Sequence, residues 1–299
     1  MRLWLCALLA VLLVIPCVHA LPVGGADVVW IAAGWFTFGA EEADLAAARR
    51  QCVRERSVLG LRLHPCASEQ AFAHELPAQR VFVSGFGIDR YEVSQAEHAR
   101  CLEAGACDPS SYLTDHPGLR GADLPAIGLD YAQATRLCHF RGGRVPTEAE
   151  WERAARGDSV RRYPWGVFYN PGLANHGAPS SHADTGLGEP DAGDGYAYLA
   201  PVWAFAEARS PHGLVQAAGN VWEWTADAFA GVRPAPLRVD PQVALDNGER
   251  VVRGGSFRAP GLALRVTHRE ARAESKGFID VGVRCAYALR SGSPAQKPP

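Results

Sequence analysis

Apolar positions form one continuous run near the start of the chain and only short, broken patterns after it. Residues 3–15 are almost uniformly apolar, preceded by Arg2 and ended by Pro16. Further on, Val28-Val29-Trp30-Ile31 and the stretch 80–86 have the β-branched, aromatic and alternating character of strands. Helical spacing is clear in two segments. Residues 94–104 begin at Ser94 with Glu97 three positions on, a capping box, and residues 131–141 follow Asp130 and stop at Gly142-Gly143. A third, shorter helix is expected from Thr147, with Glu150 as its capping partner and Pro146 fixing the approach. Residues 157–200 are rich in Gly, Ala, Pro, Ser and Asp with little periodicity, which reads as irregular chain, ordered or not. Residues 291–299 are polar and Pro-rich, as expected of a disordered tail.

The opening run has the layout of a secretory signal peptide over residues 1–20. Arg2 supplies the positive start, and Val18 and Ala20 put small residues where a signal peptidase needs them. The run is shorter than the roughly 20 apolar residues that span a bilayer. Pro16 directly before Cys17 is a poor match for a lipid-attachment site. No later stretch approaches a spanning length, so no integral membrane segment is expected after cleavage, and the mature chain is expected to be periplasmic or secreted. Of eight cysteines, Cys6 and Cys17 leave with the signal. The rest are Cys52, Cys66, Cys101, Cys107, Cys138 and Cys285, an even set whose default state in an oxidising compartment is disulfide. Sequence alone does not choose among the possible pairings. Cys52 with Cys66 and Cys101 with Cys107 are close enough for local bridges, the second closing a loop that Gly105 can turn.

Lys and Arg number 30 against 32 for Asp and Glu, so no basic field invites nucleic acid and no acidic tail invites a polycation. The chain is long enough for one large core or two smaller ones.

Several segments identify a family. Residues 144–157, built on Pro146-Thr147-Glu148-Ala149-Glu150-Trp151, are followed by Tyr163-Pro164-Trp165-Gly166, then by 219–227 with Asn220-Val221-Trp222-Glu223-Trp224 at the centre. Arg253-Gly254-Gly255-Ser256-Phe257 and Gly282-Val283-Arg284-Cys285 come next in the same order, with 31–39 and 86–94 upstream. Together they closely resemble the formylglycine-generating-enzyme (sulfatase-modifying factor) domain family from about Trp30 to Ala288. The resemblance implies an α+β fold of the C-type-lectin-like kind, loop-rich, with a small twisted sheet and two main helices. It implies one domain over residues 21–290, closed by a disulfide between Cys138 and Cys285. Trp151, Trp165, Trp222 and Trp224 are expected in the core, and Gly219, Gly254 and Gly255 at unusual backbone angles.

Loop-rich folds often need a hard cation, and calcium takes carboxylate, amide and carbonyl oxygens. The resemblance assigns one structural calcium to Asn175, the carbonyl of His176, Asp194 and the carbonyl of Tyr196. It assigns a second to Gln216, the carbonyls of Gly219 and Val221, and Glu223, with Gln216 replacing the shorter amide usual there. The family's reaction oxidises a cysteine to formylglycine on copper(I) held by two thiolates, the soft ligands that ion selects. The thiols belong between residues 257 and 281, and that segment contains no cysteine. Val266 and a position near Gly261 stand where they should be, so copper is not expected. What remains is Arg265, His268, Arg269, Glu270 and Arg272, a polar cluster lining the family's substrate groove. His268 is the weak catalytic candidate, without a partnered nucleophile in the sequence. Arg265 and Arg269 are expected to favour acidic groups.

The expected function is thus an exported, monomeric, sulfatase-modifying-factor-like scaffold that binds a peptide, protein or small-molecule ligand. The alternative is an enzyme of altered chemistry, an oxidoreductase of the same family using other residues. N-terminal sequencing of the protein recovered after export should begin at Leu21. A chain still starting at Met1 would contradict the signal assignment.

Overall fold

The computed structural model describes residues 27–55, 57–58, 61–62, 69–111, 115–178, 191–231 and 238–289. The expected signal peptide, Cys66 and the expected tail at 291–299 lie outside the described residues.

The chain opens with β1 (Val28–Ile31) and β2 (Gly34–Phe38), then α1 (Glu42–Glu55) and the short pair β3 (Ser57–Val58) and β4 (Leu61–Arg62). A 3₁₀ segment, Glu69–Glu75, leads to β5 (Gln79–Val83) and β6 (Phe86–Asp89). Three helices follow: α2 (Gln95–Glu103), α3 (Tyr131–Phe140) and α4 (Glu148–Arg156). A long irregular stretch then reaches β7 (Trp222–Ala228), β8 (Glu249–Arg253), β9 (Arg269–Ala273), β10 (Val281–Gly282) and β11 (Ala286–Ala288).

All three anticipated helices begin at the residues read from the sequence, and the box at Asp130 is completed by Gln133, which the sequence reading did not name. Ser94, Asp130 and Thr147 are N-caps, each in a reciprocal box with the residue three positions on. Two expectations are corrected. Helix α1 was not anticipated, because its buried face is made of Ala47, Ala48, Cys52 and the polar Gln51, with Leu45 the only large apolar side chain. The single strand expected over 80–86 is two strands. Ser84 leaves the ladder to donate from its backbone N and its hydroxyl to Asp240, at 2.6 and 2.7 Å. β5 pairs antiparallel with β2, whereas β6 lies between β1 and β11.

The strands form several small sheets. The largest is four-stranded in the order β10-β7-β8-β9, with β10 parallel to β7 and the other pairs antiparallel. One apolar cluster lies under it, joining Trp222, Trp224, Val252 and Val281 to Leu129, Leu137 and the Cys138–Cys285 bridge. A second joins Ile31, Phe36, Val81, Phe86 and Ile88 to Trp151 and Ala154 of α4. Trp151, Trp222 and Trp224 are fully buried, whereas Trp165 is partly buried and stacks on Tyr163 with ring centres 5.1 Å apart. Gly219 meets both conditions that require glycine: its φ is +84°, and a Cβ there would stand 2.2 Å from the Asn175 carbonyl oxygen.

Helix α4 is locked by charge as well as by packing. Arg253 of β8 donates to Glu148 Oε1 at 2.8 Å and to Glu152 Oε2 at 2.6 Å, all three buried. Glu152 also accepts from Arg156 at 3.1 Å and from the Gly39 backbone at 2.8 Å. Glu223 of β7 accepts from Trp151 Nε1 at 2.6 Å and from Arg284 at 2.8 and 2.9 Å. Removing one partner from such a sealed pair leaves an uncompensated charge, at about 3–5 kcal/mol. Glu152→Ala should therefore lower unfolding stability by about that amount in a urea titration. A loss under ~1 kcal/mol would mean the network is not a structural tie.

Candidate functional site: a buried glutamate beside two imidazoles

The antiparallel register of β8 and β9 sets Arg253 opposite Arg269 and Val252 opposite Glu270. Just before β9, the turn of 3₁₀ helix Gly261–Leu264 leads into residues 265–268. Arg253 grips that stretch through the carbonyls of Val266 and Thr267. The 3₁₀ segment ending at Glu75 comes from almost two hundred residues earlier and puts His74 and Glu75 against it.

Glu75 is the hub. It accepts from Arg265 in a two-pronged pair at 2.6 and 2.8 Å, from the Thr267 hydroxyl at 2.7 Å, and from His268 Nδ1 at 3.0 Å. Burial alone would raise its carboxyl, but Arg265 and His268 hold it well below its ordinary range. His268 Nε2 faces Glu270 Oε1 at 3.5 Å. Burial would lower the His268 pKa, yet its hydrogen bonds to Glu270 and Glu75 raise it above the ordinary value. Burial, and then the charge on His268, lower His74 to about 4, so its ring is neutral at neutral pH. Phe72, Trp222 and Phe229 wall the imidazoles, with ring centres 5.8 to 6.2 Å away. Arg272 lies over the Trp222 ring at 5.7 Å and pairs with Glu270 at 2.6 Å.

His268, Glu270 and Arg272 lie together, but the role expected of Arg265 and Arg269 does not fit their surroundings. Arg265 is 1 % exposed and Arg269 0 % exposed. Arg265 is tied to Glu75, and Arg269 is tied to Glu148 at 2.9 Å and to the carbonyls of His74 and Ala230. Neither is a surface cation able to receive an acidic ligand. The partners come from positions 75 and 148, which carried no mark of this role in the sequence. His74 was missed for the same reason, and the lone histidine at 268 has a companion.

Val266, at one expected thiol position, and Gly261, near the other, are both packed shut. Val266 is fully buried in the cluster with Trp151, and a Cβ at Gly261 would fall 2.3 Å from the Tyr169 ring. These residues do not fit a thiolate-bound copper ion. The bridges Cys101–Cys107 and Cys138–Cys285 are formed, with Cα separations of 5.3 and 5.4 Å, and Cys52 is disulfide-bonded.

At the first calcium set, the Asn175 amide donates to the Tyr198 carbonyl and to Asn220, leaving Asn175 Oδ1 buried without a partner. Asp194 accepts from the backbone N of His176 and of Tyr196, at 2.8 and 3.0 Å. At the second set, Gln216 Oε1 is also buried without a partner, while Glu223 already accepts on both oxygens from Arg284. Glu92 lies beside this set, accepting from Asn220 at 2.6 Å, and burial followed by Glu223 pushes its carboxyl well up. The oxygen-rich first set fits a calcium ion better than the second, where Arg284 already neutralises the carboxylate.

The profile of the sulfatase-modifying factor enzyme 1-like domain matches residues 18–289. The chain belongs to that family. The formylglycine-generating enzyme of Thermomonospora curvata is 35 % identical over 191 residues, covering 60 % of this chain and 58 % of that protein. The formylglycine-generating enzyme of Bos taurus is 27 % identical over 266 residues, covering 71 % and 68 %. The inactive C-alpha-formylglycine-generating enzyme 2 of Bos taurus is 34 % identical over 170 residues, covering 55 % and 50 %. The chain therefore spans somewhat over half the length of several curated relatives it matches. Among solved structures, PvdO of Pseudomonas aeruginosa superimposes with a TM-score of 0.65 at 23 % identity, covering 88 % of this chain and 94 % of that one. CarF does so with a TM-score of 0.53 at 17 % identity, covering 89 % and 99 %. These likenesses establish the formylglycine-generating-enzyme fold. No helix among the described residues is long and apolar enough to cross a membrane.

One titration links the family helix to the site. Asp227 accepts from the backbone N of Glu148 and of Val243, both at 2.7 Å. Burial, and then the nearby Glu148, push its carboxyl up to about 7 from 3.8. The folded state thus holds a proton that the unfolded chain has lost. The stability this contributes is complete below the unfolded value and fades as pH rises through about 7. Between pH 5 and 7 the fall should be of order 1–3 kcal/mol, and Asp227→Asn should lack it. Parallel stability curves for the two proteins would refute the assignment.

Proposed function

We propose that this member of the sulfatase-modifying-factor family is an exported scaffold that has lost thiolate-copper oxidation and binds a peptide or small-molecule ligand over the His268 face. The observation that carries this is the absence of any cysteine between residues 257 and 281, with Val266 packed in the core at one expected thiol position and Gly261, near the other, beneath Tyr169. Likeness to relatives named inactive formylglycine-generating enzymes supports it. Export is supported by the opening apolar run and by the disulfides, which persist in oxidising compartments.

The ligand face we infer is centred on the half-buried Glu270 and Arg272, which lie over the buried His268 and Trp222. Its charges are internally balanced, so recognition would rest on directional hydrogen bonds rather than on attraction of anions. The buried, unpartnered Asn175 oxygen and Asp194 support a structural calcium at the first set.

Incubation with copper(I), oxygen and a cysteine-containing sulfatase peptide should yield no aldehyde, and the denatured protein should show no free thiol. Peptide and small-molecule libraries should return a ligand whose binding is weakened by Arg272→Ala, with circular dichroism unchanged. Aldehyde formation, or an empty screen on the folded protein, would overturn the proposal. Calcium should raise the melting temperature of the wild type, and Asn175→Ala should remove most of that rise. No calcium response would refute the structural ion.

A further inference from the structure

The ligand-capable atoms of His74, Glu75 and His268 all lie within 4.8 Å of one another. His74 Nε2 is buried and has no hydrogen-bond partner, while a hydrogen bond to the Arg269 main chain holds the ring. With the other nitrogen donating, Nε2 presents a lone pair to the interior. A buried acceptor left without a donor costs about 1–3 kcal/mol unless something takes it up. Among the described residues, the His268 imidazole and the Glu75 carboxylate are the groups of matching reach.

We propose that His74 Nε2, His268 Nδ1 and a Glu75 oxygen form a binding site for a divalent first-row transition ion such as zinc or iron(II). Two nitrogens and one carboxylate oxygen suit such an ion, whereas calcium prefers oxygen alone and copper(I) prefers thiolates. Donors around an ion at roughly 2.0–2.2 Å stand about 3–4 Å apart, so a contraction of roughly 1 Å closes the set. Each ligand already has the outer support that metal sites use. Glu270 sits at 3.5 Å from the far nitrogen of His268, Arg265 and Thr267 hold Glu75, and the Arg269 main chain holds His74. Phe72, Trp222 and Phe229 supply a low-polarity wall. The ion replaces the proton shared by His268 Nδ1 and Glu75 Oε1, which leaves to solvent. Three protein ligands leave at least one position for an external group. The site goes beyond the ligand-binding proposal and stands independently of it.

The test is calorimetric titration of the untagged full chain, stripped of transition metals and saturated with calcium, using zinc and then cobalt(II). One equivalent should bind. His74→Ala and His268→Ala should each weaken it by roughly 100-fold or more, and Glu270→Gln by about 10- to 100-fold. Zinc should also shift the ring nitrogen resonances of both histidines in the wild type, which keeps the test decisive if a variant fails to fold. No stoichiometric uptake by the wild type, uptake unchanged in the folded histidine variants, or histidine resonances unmoved by zinc would each overturn the site.

Discussion

The fold depends on guanidinium–carboxylate pairs sealed inside it. Helix α4 offers Glu148 and Glu152 on the face where it also buries Ala149 and Trp151, and Arg253 and Arg269 come to meet them from β8 and β9. Glu223 and Arg284 make an equivalent joint between β7 and the segment before β11. Such charges are costly to bury singly. Paired and hydrogen-bonded they are directional in a way that apolar contact is not, so they specify which loop lies on which helix. A chain whose strands are short and whose stretch between α4 and β7 is irregular gains from that specificity.

The candidate site inherits its geometry from this network. Arg253 reaches past Glu148 and Glu152 to the carbonyls of Val266 and Thr267 and thereby fixes the backbone just ahead of His268. Arg269 does the same on the other side, holding the His74 carbonyl while paired with Glu148. The segment 69–75 is thus drawn against 265–268 by two arginines at once, one on Glu75 and one on the main chain beside it. His74 and His268 become neighbours, with ring centres 5.9 Å apart, as a result of ties that lie outside both of them.

Local signals were legible in the sequence and long-range ones were not. Ser94, Asp130 and Thr147 announced their helices because capping is completed within four residues. Helix α1 escaped because alanine and cysteine line most of its buried face. The strand break at Ser84 depends on Asp240, more than 150 residues away, so nothing near it in the chain predicts it. The misreading of Arg265 and Arg269 has the same origin. An arginine looks like a free cation until its carboxylate is located, and the carboxylates at 75 and 148 are brought in only by folding. The resemblance to the family supplied the core tryptophans and the strained glycine at 219 without showing that His74 would join His268.

The separation between what holds this scaffold and what occupies its chemical centre explains how one can change without the other. The structural ties use Glu148, Glu152, Arg253, Arg269, Glu223 and Arg284, none of which is at an expected thiol position. Val266 adds apolar surface to the core beside Trp151, and Gly261 makes room for Tyr169, so both positions favour packing over reactivity. Packed side chains at these positions leave the structural ties intact. The polar groups left nearby form a tighter unit around Glu75, where a guanidinium, a hydroxyl and an imidazole share one carboxylate. A site whose parts are already oriented by the scaffold is one in which new binding chemistry can arise without rebuilding the protein around it.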